Sequence, residues 1–168
     1  MGLKPQDVLV LLKLGVRASA APWTYSLLGI ELGMSPSEVH AAVGRAEHVG
    51  LLGPGRAPVR AALLEFLLHG LKYVFPAERG AITRGMPTAH AAAPLAAQIA
   101  PDELPPVWPD PAGDVRGEEF KPLYRSAPVA ARRDERLYQC LALVDALRGG
   151  RARERKLAEK LLTEMLAA

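Results

Sequence analysis

Cysteine is almost absent from this chain. Of its 168 residues only Cys140 is a cysteine, which excludes an intramolecular disulfide framework and leaves no CxxC or Cys/His spacing for a structural metal, so stability must come from packing. Long apolar runs are missing as well. The opening stretch MGLKPQDVLVLLKLGVR is interrupted by Lys13 and falls far short of the roughly 20 residues a membrane span needs. The expectation is a cytoplasmic protein with no membrane partner. Catalytic signatures are absent too: no GxSxG, no P-loop, no GxGxxG and no HExxH. His69 lacks a second histidine three or four residues away, the spacing a helical metal site would use. No enzymatic activity, cofactor or metal is expected.

What is present is unevenly spread. The chain is 49% hydrophobic with a formal charge of +3, enough apolar material for one ordinary core plus extensions. Lys and Arg against Asp and Glu number six and four over residues 1–60, six and eight over 61–129, and nine and six over 130–168. Both ends are basic and the middle is acidic. Ten of the fifteen prolines fall between Pro76 and Pro128, so that stretch cannot be a run of long helices. The division this suggests is a helical head over 1–75, a Pro/Gly-rich wrapping arm over 76–132 and a helical region over 133–168.

The head is the most readable part. In LGMSPSEVHAAVGRAEHVGLL, Ser35 followed by Pro36 and Glu38 forms a capping box with proline at the first helical position. A helix therefore starts at Ser35 and stops at Gly50. Placing successive residues about 100° apart puts Val39, Ala42, Val43 and Ala46 on one face, and Ser37, Ala41, Gly44 and His48 on the other, flanked by His40 and Arg45. Upstream, WTYSLLGIELG gives a short helix from about Thr24 to Leu32, closed by Gly33 as a left-handed cap. Two helices around such a turn make a helix-turn-helix. A third runs from Pro5 to about Gly15, with Val8, Leu11, Leu12 and Val16 as its inner face.

After the second helix comes GLLGPGRAPVR. There Leu51 and Leu52 can begin a strand that Gly53-Pro54-Gly55 turns back toward Val59, with Arg56 at the tip and Arg60 at the base. Over residues 4–75 the sequence resembles the winged helix-turn-helix transcriptional regulators, particularly bacterial MarR-like and related groups. The phrase SLLGIELGMSPSEVHAAVGRAEHVGLL is similar to their scaffolding helix, turn, recognition helix and Gly-Leu-Leu lead into the wing, although the wing here is short and contains proline.

That resemblance implies a homodimer on double-stranded DNA, with recognition helices at about 35–49 in successive major grooves about 34 Å apart. Ser35, Ser37, His40, Gly44, Arg45 and His48 are the expected contacts on the helix. Thr24 and Tyr25 are expected at phosphate, and Arg56 and Arg60 on the wing. Arg45 is expected to face outward and to reach a guanine edge or a phosphate.

In VRAALLEFLLHGLKYVF, Leu63, Leu64, Leu67, Leu68 and Leu71 recur at helical spacing, fit for core or a dimer interface. The arm holds Ile82, Met86, Leu95, Ile99, Val107, Trp108, Phe120, Leu123 and Tyr124, too many anchors for a free linker. It is expected to be irregular and to wrap a surface. Two helices follow, from about Asp134 to Arg148 and Arg151 to Leu166, with Arg148, Arg151, Arg153, Arg155 and Lys156 at the bend as a basic cluster for phosphate or an acidic partner.

The expected fold is thus mainly α: a winged head with a short wing, a Pro-rich irregular arm and a C-terminal helical hairpin. The expected function is sequence-specific transcriptional regulation. Two rival readings stand beside it. One is a winged-helix adaptor or antitoxin-like subunit that holds a protein partner through the arm and C-terminal helices. The other is an enzyme using His90, Asp110 or Glu118 as acid/base groups.

Overall fold

A computed structural model describes residues 2–18 and 21–167. The chain is mainly helical with one small three-stranded sheet. Helices α1 (Pro5–Val16), α2 (Tyr25–Leu32) and α3 (Pro36–His48) form the head. The local signals act as their chemistry dictates. Thr24 accepts a hydrogen bond from the Leu27 amide at 3.0 Å, Gly33 takes the left-handed conformation at φ 67°, and Ser35 and Glu38 close the capping box at 3.1 and 2.8 Å. Gly29 is needed for a different reason: a Cβ there would lie 2.5 Å from the Met34 carbonyl, so the turn between α2 and α3 would have to open.

Where a wing is expected there is no hairpin. Leu52 and Pro58 make a single isolated bridge, and Pro54–Arg56 fold into a short 3-10 turn rather than a hairpin tip. A long helix follows, built from α4 (Arg60–Glu65), a π-helical turn (Phe66–Gly70) and α5 (Leu71–Val74). Leu63, Leu67 and Leu71 are its buried positions. Leu64 and Leu68 sit only half-buried at the edge of the core.

Residues 76–132 are not irregular throughout. They fold into β1 (Arg79–Pro87), β2 (Pro106–Pro109) and β3 (Val115–Phe120), with two short 3-10 turns between β1 and β2, and then into α6 (Ala127–Arg133). Each strand pairs with the other two: β1 runs antiparallel to β2 and β3, while β2 and β3 run parallel. So tight a closure needs glycine where backbones cross. A Cβ on Gly85 would stand 1.9 Å from the Trp108 carbonyl, and one on Gly117 2.0 Å from that of Pro105.

Helix α7 (Glu135–Gly149) and helix α8 (Ala152–Ala167) form the expected hairpin. Helices α1 and α7 pack against each other at the centre and are buried on almost every side. In α1 the burial extends beyond the expected inner face to Leu9, Val10 and Leu14, as a helix with apolar residues all round requires, and its two buried charges, Asp7 and Lys13, are paired. One cluster of buried residues draws on all parts of the chain: Leu11 and Leu12, Val39 and Val43, Leu95 and Trp108, Leu141 and Leu162.

Three charged contacts pin this core. Lys13 donates to Asp134 at 2.7 Å, beside its helix cap. Arg45 grips Asp7 through two bonds of 2.8 and 2.7 Å. Asp145, within α7, accepts from Thr88 at 2.6 Å, the Trp108 indole at 2.7 Å and Arg148 at 2.9 Å, which fastens the sheet to the helix. Burial pushes the Asp145 carboxyl upward, and Arg148 with the two neutral donors pulls against it. Among the described residues no helix is long and apolar enough to cross a membrane.

Candidate nucleic-acid interface

The outer face of α3 is set by the same phase that buries its inner one. Val39, Ala42, Val43 and Ala46 face the core, while Ser37, His40, Ala41 and His48 are exposed and Gly44 is partly so. A Cβ added at Gly44 would meet no atom within 4 Å. The face is open to solvent, and its small residues allow a large partner to come close.

Around this face the aromatic and cationic groups are organised. Tyr25 packs edge-on to His40 with centroids 4.9 Å apart, and Trp23 packs on Tyr25 at 5.7 Å. Arg56 lies over the Tyr25 ring at 5.0 Å. Its own backbone is left-handed, φ 58°, a conformation that costs a non-glycine residue stability, and its guanidinium comes no closer than 3.8 Å to Glu47. Thus Tyr25, His40 and Arg56 form one group beside α3. Thr24 and Ser35 spend their hydroxyls on helix caps.

Several expected contacts face elsewhere. Arg45 does not point outward: its side chain is only 11% exposed and turns back along α3 onto Asp7, which is fully buried. Asp7 raises the guanidinium's pKa further by hydrogen bonding. Arg60 donates to the carbonyls of Gly15 and Leu166, where α1 and α8 end, so it is a clamp rather than a wing contact. Arg148 leaves the basic cluster altogether. It is buried, donates to the Phe75 carbonyl at 2.8 Å and stacks on Phe120. Arg151, Arg153, Arg155 and Lys156 are exposed as expected, and Arg155 also donates to the Gly150 carbonyl at 3.2 Å.

A contact with no local signal lies at the N-terminal end of α3. Glu38 accepts from the Tyr124 hydroxyl and, at 3.2 Å, from Arg125. Those bonds, together with the Ser35 amide, hold its carboxyl down to about 2, while burial and the facing carboxylate raise the Tyr124 phenol. The segment leading into α6 is thereby tied to the first turn of α3.

A second polar cluster lies where the sheet meets the α7–α8 junction. His90, nearly buried, has Nε2 2.5 Å from Asp102 and Nδ1 3.2 Å from Glu154, and Ala89 before it has φ 53°. A cavity of about 350 Å³ opens beside this ring, lined by Arg79, Asp102, Glu118, Arg151 and Glu154 among others. Of the possible acid/base groups, His90 and Glu118 therefore share a cavity, whereas Asp110 lies apart and pairs with Arg132. With Asp102 beside Nε2 and Glu154 beside Nδ1, the ring lies between the chain before β2 and the start of α8. Among the described residues no group of three or more His, Cys, Asp or Glu side chains is placed to hold a metal ion.

No family model, curated protein or solved structure matches this chain.

Proposed function

We propose that the chain is a sequence-specific DNA-binding protein that regulates transcription as a dimer, with α3 as the helix that enters the major groove. The observation that carries this reading is the outer face of α3: exposed Ser37, His40, Ala41 and His48 around an unobstructed Gly44. A helix whose presented side is short and polar can lie deep in a groove about 12 Å wide, where hydroxyl and imidazole groups meet base edges. Arg56, stacked on Tyr25 and 48% exposed, supplies a cation at the rim for phosphate.

Arg45 plays no part in base reading in this account, because its charge is spent on Asp7. The test variant is therefore Gly44→Glu, which adds a bulky anion to the presented face without touching the core. Purified protein is used to select from a random duplex library, and the enriched sequence is then bound over a range of salt. Wild type should enrich one motif, and Gly44→Glu should weaken binding to it at least tenfold with an unchanged melting temperature. A wild-type protein that enriches nothing would defeat the proposal.

The adaptor reading has an observation of its own. Ile30 is 70% exposed on α2, with Leu27 and Val129 also exposed. If the DNA selection fails, this apolar patch is the first place to look for a protein contact.

A further inference from the structure

The small sheet carries an anomaly on its outer face. In the antiparallel pairing of β1 with β3, Arg84 stands directly opposite Arg116, and both are exposed. Directly opposed side chains have Cβ atoms only about 4.5–5.5 Å apart, and like charges there oppose the pairing. Among the described residues, neither guanidinium enters an ion pair or a side-chain hydrogen bond, although carboxylates are near in sequence. Glu118, opposite Ile82, lies 4.0 Å from Arg79 instead, and Asp110 pairs with Arg132.

Other arginines of the fold are occupied. Arg125 is on Glu38, Arg133 donates to the Ile30 carbonyl, and Arg148 is buried on Asp145. Two exposed guanidiniums on directly opposed positions, with no ion-pair partner among the described residues, each offer a planar fork that matches the oxygens of a phosphate.

The pair is also tied mechanically to α3. The Asp110 amide donates to the Arg84 carbonyl at 3.2 Å, and the Asp110 side chain takes Arg132 on α6. Helix α6 in turn packs Val129, with the capping residue Ser126 before it, against Gly33, in the turn before α3, and reaches α2 through Arg133. The arginine pair and the presented helix thus belong to one chain of contacts.

We propose that Arg84 and Arg116 make a second contact with duplex DNA, gripping backbone phosphate beside the groove that α3 occupies. This rests on the reading of α3 above. The pair would supply affinity and orientation and carry no sequence information.

The experiment compares full-length wild type with the Arg84→Gln/Arg116→Gln variant on the selected duplex between 50 and 300 mM NaCl, as a choice of range about that used for counterion-release slopes. The variant should bind at least tenfold more weakly near the low-salt end. Its plot of log K against log salt should be shallower by about one to two units, since each neutralised phosphate contributes about 0.9. The preferred sequence should not change, and the melting temperature without DNA should stay level or rise as the repulsion is relieved. An unaltered slope would overturn the sheet contact while leaving α3 as the reader. A fall of several degrees in melting temperature would mean that the two arginines hold the sheet together, and would also overturn it. If wild type binds no duplex, the reading of α3 fails and this contact fails with it.

Discussion

Helices α3 and α7 each carry an arginine locked onto a buried aspartate, yet one helix keeps a bare face and the other has none. In α3 the pair joins two helices: Arg45 crosses to Asp7 on α1, so the ion pair fixes the inner side and leaves the opposite side free. In α7 the pair is internal, Arg148 on Asp145 three residues earlier, and the same carboxylate also receives Thr88 and Trp108. Helix α7 is the post to which the sheet, α1 and α8 are fixed; α3 is fixed along one edge and presents the other. A buried charge thus marks where a helix is held, and an interface belongs on the side it leaves open.

The largest loss is expected at α7. Asp145→Ala leaves Arg148, Thr88 and Trp108 without their acceptor in a buried site, and urea unfolding should show a loss of about 3–5 kcal/mol. A loss under about 1 kcal/mol would mean that the sheet is not anchored through this carboxylate. In α3, Arg45→Met leaves the buried Asp7 with only the Lys4 amide as its partner, at a cost of about 3 kcal/mol. Adding Asp7→Leu should restore part of that, less the cap that Asp7 supplies to the start of α1. An Arg45→Met protein of normal stability that had lost DNA binding would instead put Arg45 on the outer face and show the helical phase to be wrong.

Smaller effects sharpen the same contrast. Ser35→Ala removes the cap that starts α3 and should lower stability by about 1 kcal/mol in the same urea assay. Glu38 tests the acid limb. Its carboxyl is held at about 2, against 4.5 unperturbed, so its contribution is fully present above pH 4.5 and is lost as pH falls from there toward 2. The melting temperature of wild type should decline across that window more steeply than that of Glu38→Gln; parallel curves would remove Glu38 from the tie to Tyr124.

Legibility followed the range of the interactions. The α2–turn–α3 unit was readable because its determinants are neighbours: Thr24 and Leu27, Gly33, Ser35 and Glu38. The outer face of α3 followed from phase alone. Arg45 misled because it sits on the flank, where a long side chain can turn either way, and its partner Asp7 is far off in the chain. The sheet was hidden for a related reason. Its strands are rich in glycine and proline, which read as turn signals, although Gly85 and Gly117 are there because backbones cross at those points. Asp145 looked like an ordinary polar residue of a helix until Thr88 and Trp108 were placed beside it. Tyr124 and Arg125 likewise gave no local sign of their contact with Glu38.

The most direct measurement is duplex binding by Gly44→Glu beside Arg45→Met/Asp7→Leu, with wild type as reference, on the selected sequence at one moderate salt concentration. The account predicts that Gly44→Glu loses binding at least tenfold and stays folded, whereas the double variant, altered only on the held side, binds within a few-fold of wild type. Equal binding by wild type and Gly44→Glu would contradict it, because the bare face of α3 would then have no part in holding DNA.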